Sequence, residues 1–169
     1  MQLLFLRHGL AEARETWVGD DGERPLTDQG RKALKRTAAR LADIGPVPEL
    51  VVTSPLVRAR ETAEIAAAGL GVSDLLVEDA RLAPGFDALR LRAILEERPV
   101  SGAIMLVGHE PDFSDTIAEL IGGGRIVCKK GGLARVDVAD AGLRGGELVW
   151  LLPPRALGRK PARGGSREA

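Results

Sequence analysis

Short runs of large apolar residues alternate along this chain with longer segments in which apolar residues recur every three or four positions. The short runs are typical of buried β-strands, and the longer segments predict helices with one apolar face. The predicted strands are 3–6, 49–55, 74–79 and 102–111, and the predicted helices are 27–45, 56–71, 86–97 and 112–123. Strands that alternate with helices in this way indicate an α/β domain with a mostly parallel sheet.

The ends of the first predicted helix are marked by residues that favour helix caps. Thr27 is a suitable N-cap, and Gly45 is typical of a helix end. Between them, Leu34, Ala38 and Leu41 are spaced to lie on one face. We therefore expect this helix to pack on the sheet through that face.

The last third of the chain changes character. The runs "RIVCKK" (125–130), "LARVDVAD" (133–140) and "GELVWLL" (146–152) predict strands that complete the sheet, at least one of them antiparallel. The predicted fold is a three-layer α/β/α domain over residues 1–152. The Pro- and Gly-rich basic segment 153–169 predicts a disordered tail, either simply solvated or in contact with an acidic partner.

Composition narrows the possible partners and location. The formal net charge is zero, so no overall field draws the protein to nucleic acid or to a membrane, and neither is an expected partner. The only cysteine, Cys128, excludes an internal disulfide and is interpreted as a small buried residue. The N-terminal apolar run is too short for a signal peptide, and no apolar segment is long enough to span a bilayer. These features predict a cytoplasmic protein.

Both histidines of the chain follow predicted strands directly. His8 comes after "LLFL" and His109 after "IMLVG", and the carboxyl ends of parallel strands meet at one edge of the sheet. Arg7 adjoins His8, while Arg58 and Arg60 enter the first turns of the second predicted helix. Arginine matches phosphate oxygens with a fixed fork of donors, so this cluster predicts a site for a small dianion, with phosphate favoured.

Such a cluster supports phosphoryl transfer to an imidazole. A neutral histidine is nucleophilic, and arginines stabilise the charge on the transferring group. A structural role for either histidine alone remains an alternative. Metal binding is disfavoured because the sequence has no H-x-x-x-H or H-x-x-E-H spacing and because the neighbouring arginines repel a cation. No metal and no cofactor are expected.

Four motifs in order, "LRHG", "RPLTDQG", "TSPLVRARETA" and "VGHEP", resemble those of the histidine phosphatase superfamily, once named for phosphoglycerate mutase. The resemblance covers residues 1 to about 152, and the short length and the chain ending are similar to the SixA-type phosphohistidine phosphatases. It implies a phosphoglycerate mutase-like fold and a phosphorylated His8 that water later hydrolyses. The residues that it implies for binding the phosphoryl group are Arg7, Gly9, Arg58 and His109.

The proton donor is where the sequence departs from that family. Many relatives carry a glutamate just after the third strand, whereas here "DARLAPG" places Arg81 there. An alcohol leaves poorly without an acid, but an imidazole of reference pKa about 6.5 needs far less help. The missing carboxyl group thus favours phosphohistidine as substrate. The alternative donors are Asp79, Asp87, Glu110, Asp20, Asp21 and Glu23.

Three functions stay open at this point. The first is hydrolysis of phosphohistidine on a histidine-phosphorylated protein domain, for which short loops leave an open pocket. The second is hydrolysis of a small phosphate ester, such as a sugar or nucleotide phosphate. The third is a phosphate-binding module without turnover.

Overall fold

The computed structural model describes residues 1–139, 142–143 and 145–157. A central sheet is flanked by helices on both faces. Its strands are β1 (Gln2–Arg7), β2 (Leu50–Thr53), β3 (Leu76–Glu78), β4 (Ala103–Gly108), β5 (Leu133–Asp137) and β6 (Glu147–Leu152). The helices are α1 (Asp28–Ile44), α2 (Val57–Leu70), α3 (Ala88–Glu97), α4 (Asp112–Leu120) and the short α5 (Pro154–Leu157).

The sheet has the order β3-β2-β4-β1-β5-β6. Strands β1 to β4 are parallel, and β5 runs antiparallel to both of its neighbours. The prediction of a mostly parallel sheet with an antiparallel strand near the C-terminus is therefore confirmed. The central pair matters most for the site, because β1 and β4 are paired in a register that sets Arg7 opposite Gly108.

Strand β1 is buried on both faces, which explains its unbroken apolar run. Leu3 and Phe5 pack with residues of α3 and α4 on one side of the sheet. Leu4 and Leu6 pack on the other side with residues of α1 and α2. Because successive side chains of a strand point to opposite faces, these two clusters define the outer layers of a three-layer α/β/α domain.

The limits predicted for α1 are confirmed. The Thr27 hydroxyl accepts a hydrogen bond of 2.9 Å from the amide of Gly30, and the helix ends before Gly45. Its predicted face, Leu34, Ala38 and Leu41, is buried. No helix in the described part of the chain is long and apolar enough to cross a membrane.

The predicted strand at 125–130 is wrong. These residues form an irregular connection, in which the backbone of Cys128 bonds to side chains and not to a neighbouring strand. The amide of Cys128 donates to the Ser114 hydroxyl at 3.2 Å, and its carbonyl accepts from Arg7 at 2.8 Å. Cys128 itself is fully buried, as interpreted from the sequence.

The predicted disordered tail begins too early. Residues 154–157 form α5, which packs against α1 and buries Leu157. Burial of this leucine offsets the entropy of ordering the segment. The remainder of the predicted tail, residues 158–169, lies outside the described residues.

Candidate active site

Pairing of β1 with β4 brings the two histidines together. Each follows its strand directly, and the amide of His8 donates a hydrogen bond of 3.0 Å to the carbonyl of Gly108. The two imidazole rings then lie with their centroids 5.3 Å apart. Strand β2, on the other side of β4, leads through Ser54 into α2, which carries Arg58. The structure thus brings both histidines and Arg58 to the same edge of the sheet.

These side chains border a cleft of about 610 Å³. Arg7, His8, Arg58 and His109 all line it, as the sequence predicted. Sequence reasoning named Asp21 and Glu110 only as alternative proton donors, and it missed the other charged residues of the loop after β1 because they gave no spacing signal. The other charged residues of the cleft are Glu12, Arg14, Glu15, Asp21, Arg24, Glu110 and Lys130.

His8 is held as a neutral imidazole, and one of its ring nitrogens has no hydrogen-bond partner among the described residues. Its Nδ1 lies 2.8 Å from the carbonyl oxygen of Gly9, and because a carbonyl only accepts, Nδ1 carries the proton. The lone pair is therefore on Nε2. Burial, aided by the nearby positive charge of Arg58 and Arg7, lowers the pKa of His8 to about 3. The nucleophilic form is thus present throughout the physiological pH range.

His109 is neutral for the same reason. Burial first, and then the charge of Arg58, lowers its pKa to about 4. Its Nε2 lies 2.8 Å from the hydroxyl oxygen of Ser54, which fixes the plane of the ring. A neutral imidazole keeps one ring N–H. With it, His109 can donate a hydrogen bond to a phosphoryl oxygen beside His8.

Arg58 is buried and held by Asp21. Its Nη1 donates to the Asp21 carbonyl at 2.7 Å, and its Nη2 lies 3.0 Å from Asp21 Oδ2. The other carboxylate oxygen of Asp21 accepts from Arg24 Nε at 2.9 Å. Partial burial opposes ionisation of Asp21, but the hydrogen bond from Arg24 and the charge of Arg58 outweigh it and lower its pKa. Asp21 is therefore a carboxylate that holds Arg58 in the cleft.

Arg7 is held in place by a backbone carbonyl of the segment 125–130. Its Nη1 donates to the Cys128 carbonyl, while its Nε is buried and has no partner in the described part of the chain. A buried donor without a partner carries a desolvation cost that an oxyanion can relieve. Arg7 is thus positioned for an anion beside His8.

Two residues that the sequence placed near the site, Arg60 and Gly9, do not line the cleft. Arg60 is exposed and lies 4.0 Å from Glu64 of the same helix, because two positions along a helix point to different faces. Gly9 also does not line the cleft: its amide donates to the Thr62 hydroxyl at 3.0 Å, and its carbonyl accepts from His8. A side chain at Gly9 would meet Leu34 Cδ1 at 2.6 Å. Gly9 therefore positions His8 and permits close packing.

We expect the two buried histidines to make stability depend on pH. Their folded pKa values are about 3 and about 4, below the unfolded value, so the unfolded chain binds more protons as the pH falls below 6.5. Each histidine should then lower the free energy of unfolding by about 1.4 kcal/mol per pH unit below about pH 6.5, with no effect above it. Urea denaturation at about pH 7 and about pH 5.5 measures this, and His8→Asn should reduce the drop by about 1 kcal/mol. If the free energy of unfolding of His8→Asn fell as much as that of the unaltered protein, the low pKa of His8 would be contradicted.

Removing the charge of Asp21 should tighten binding of inorganic phosphate. Asp21→Asn keeps the carbonyl that holds Arg58 but no longer competes with an anion, so we expect the inhibition constant of phosphate to fall about fivefold. Asp20→Asn is a matched control, since Asp20 is the neighbouring exposed residue. Within the described residues its side chain accepts only from the Gly22 amide, a bond that asparagine keeps. An unchanged or higher inhibition constant in Asp21→Asn would show that the carboxylate does not compete with phosphate.

Comparison with known proteins agrees with this geometry. A family model of the histidine phosphatase superfamily (branch 1) matches residues 3–83. An uncharacterised protein of Picosynechococcus is 40% identical over 93% of this chain and 99% of its own length. The solved structure of the protein histidine phosphatase SixA complexed with tungstate is 26% identical and has a TM-score of 0.80, over 93% of this chain and 99% of that one. A mycobacterial glucosyl-3-phosphoglycerate phosphatase, 18% identical, shares the fold with a TM-score of 0.69 over 90% of this chain and 99% of that one.

The chain belongs to the histidine phosphatase superfamily, whose α/β fold it shares. Within the superfamily it falls in the SixA-type branch. The resemblance found in the sequence motifs is thereby confirmed.

Proposed function

We propose that this protein is a metal-independent phosphatase that hydrolyses phosphohistidine on a protein through a covalent intermediate on His8. The observation that carries the proposal is the state of His8: a buried neutral imidazole, protonated on Nδ1, with Nε2 free at an arginine-lined cleft. The likeness to SixA, which is a protein histidine phosphatase, supports the choice of substrate.

In the first step His8 Nε2 forms a bond to phosphorus while the bond from phosphorus to the leaving nitrogen breaks. Arg7, Arg58 and His109 stabilise the charge on the phosphoryl oxygens. Bond formation makes the His8 ring cationic, and its hydrogen bond from Nδ1 to the Gly9 carbonyl strengthens as this charge develops. The backbone of Gly9 therefore stabilises the intermediate as well as the tautomer that forms it.

In the second step water attacks phosphorus and the P–N bond to His8 breaks. The electron pair returns to Nε2, phosphate departs, and the neutral imidazole is restored. Because burial disfavours the charged ring, the protein environment favours this return to neutrality.

The residue at the family's acid position supports a substrate with a good leaving group. Arg81 donates to Asp79 from Nε at 2.9 Å and from Nη2 at 2.7 Å, and Nη2 also contacts Glu97 at 2.6 Å. The carboxylate of Asp79 is thus neutralised by a bidentate ion pair, which lowers its pKa. Neither residue supplies a proton there, which a departing imidazole tolerates better than an alkoxide.

A small phosphate ester is the second candidate substrate. The observation that favours it is the set of cations at the cleft beyond Arg7 and Arg58, namely Arg14, Arg24 and Lys130, which suit a ligand with a further anionic group. Similarity of fold to glucosyl-3-phosphoglycerate phosphatase is compatible with this alternative.

A comparison of substrates tests the proposal. The kcat/KM for a histidine-phosphorylated protein domain should exceed the values for a panel of sugar and nucleotide phosphates. Faster hydrolysis of any ester in the panel would replace phosphohistidine by that ester. If none of these compounds is hydrolysed although phosphate binds, the chain is a binding module and the proposal is wrong.

A further inference from the structure

Six carboxyl groups are possible proton donors on sequence grounds, and the structure separates them. Four do not line the cleft. Asp79 is paired with Arg81, Asp20 and Asp87 each accept from a backbone amide at the start of a helical turn, and Glu23 is exposed. Of these six, the two that line the cleft are Asp21 and Glu110. Glu12 and Glu15 also line it, but both are exposed, so burial does not favour their protonated form.

Asp21 and Glu110 are in opposite electrostatic situations. Asp21 contacts the guanidinium groups of Arg24 and Arg58, which keep it ionised. Glu110 forms no ion pair within the described residues. An ionised carboxylate fixed between arginines is a poor acid, whereas a carboxyl group without a cationic partner can retain its proton.

The surroundings of Glu110 favour the protonated form. Its Oε2 accepts a hydrogen bond of 2.6 Å from the Ser114 hydroxyl, while Oε1 is buried and accepts no hydrogen bond from an N–H or O–H group of the described residues. Leaving a carboxylate oxygen buried and unpaired is costly, and protonation removes the charge. Burial accordingly raises the pKa of Glu110, although the Ser114 hydrogen bond and the charge of Arg7 partly oppose it.

Glu110 also has the right place in the chain. It follows His109 directly at the end of β4 and lines the cleft that holds His8. The Ser114 hydroxyl that holds its Oε2 also accepts from the Cys128 amide, and the carbonyl of Cys128 accepts from Arg7. The carboxyl group is therefore fixed to the same framework as the arginine that faces the phosphoryl group.

We propose that Glu110 is the proton donor of this protein, and that it takes the role left vacant by the arginine at position 81. This inference rests on phosphoryl transfer to His8 as proposed above. When His8 Nε2 bonds to phosphorus and the bond to the leaving group breaks, the proton of Glu110 passes to the leaving atom. In the second step the Glu110 carboxylate removes a proton from the attacking water, so that the acid is restored as phosphate forms.

This assignment widens the range of possible leaving groups. With a carboxylic acid at the cleft, alkyl phosphates become substrates in addition to phosphohistidine, because the acid protonates the departing alkoxide. The need for Glu110 should rise with the basicity of the leaving group, and this dependence distinguishes a proton donor from a structural residue.

The test compares Glu110→Gln with the unaltered protein on p-nitrophenyl phosphate, phenyl phosphate and glycerol phosphate. The quantity compared is kcat/KM, which reports steps up to departure of the leaving group. We expect a loss of roughly 10²–10⁴-fold for the alkyl ester, a smaller loss for phenyl phosphate, and little change for p-nitrophenyl phosphate. The phosphoenzyme formed from p-nitrophenyl phosphate should accumulate in the variant, since its hydrolysis lacks the base.

Controls separate this role from effects on folding. Glu119→Gln makes the same change on an exposed residue of α4 and should not alter any of the three values. Glu110→Asp keeps a carboxyl group and should recover part of the alkyl phosphate activity. An equal loss on all three esters, or an unchanged value for glycerol phosphate, would refute the assignment of Glu110. Failure of the unaltered protein to form any phosphoenzyme would instead refute phosphoryl transfer to His8.

Discussion

Replacing His8 by alanine or by asparagine should abolish the covalent phosphoenzyme and nearly all turnover. In the proposed mechanism Nε2 of His8 is the atom that bonds to phosphorus, and the described residues of the cleft offer no second nucleophile in the same position. Removal of a catalytic nucleophile costs roughly 10⁶-fold in kcat in a well-studied hydrolase, and we expect a loss of at least about 10⁴-fold here. The measurement is incorporation of ³²P from a labelled substrate, quenched in alkaline detergent because P–N bonds are unstable in acid.

Two variants make this result interpretable. Asparagine at position 8 can still donate to the Gly9 carbonyl, so His8→Asn tests the nucleophile with the local hydrogen bond retained. His109→Ala should still incorporate label, at a reduced rate, because the role proposed for His109 is to stabilise the phosphoryl group without bonding to it. Full labelling of His8→Asn would place the nucleophile on another residue.

Loss of Arg58 should have the second largest effect. Its guanidinium is buried at the cleft and held by Asp21, so its donors are preorganised for the charge that develops on the phosphoryl oxygens. Removing one such group costs roughly 10²–10³-fold in rate, and a single arginine on a transferring phosphoryl group can be worth more, so we expect about 10³-fold for Arg58→Ala. Arg58→Lys should recover only part of the lost rate, since the lysine ammonium lacks the planar, forked donors of a guanidinium.

Arg60 provides the matched control for this experiment. It is the same residue type on the same helix, two positions away, but it is exposed and lies near Glu64. Arg60→Ala should leave kcat/KM within about twofold of the unaltered value, as surface substitutions rarely do more. If Arg58→Ala and Arg60→Ala had equal effects, the burial and orientation of Arg58 would have no catalytic consequence.

The comparison of Arg58 with Arg60 also shows a limit of sequence reasoning. Both follow β2, and the sequence placed both in the first turns of the helix beside the site. Only one can face it, because residues two apart on a helix are separated by about 200° around its axis. Which of the two faces the cleft depends on how α2 packs against the sheet, and that is decided by alanines buried beneath it, such as Ala59 and Ala63.

The choice of proton donor is a second feature that the sequence alone could not decide. From the sequence, Asp79 and Glu110 were equivalent possibilities. The structure gives Asp79 a bidentate arginine and gives Glu110 a buried unpaired oxygen. Acidity depends on burial and on the charges within a few ångströms, and these come from segments distant in the sequence.

The order of strands and helices, the caps of α1 and the placement of both histidines after parallel strands follow from the sequence alone. These features depend on local periodicity, on residues that begin or end helices, and on the rule that parallel strands end at a common edge. Only the tertiary structure decided that Asp21 holds Arg58, that the backbone of Cys128 anchors Arg7 in place of a strand, and that Glu110 is buried with no ion pair among the described residues. Each of these depends on contacts between residues far apart in the chain, where burial and neighbouring charge set the chemistry of a side chain.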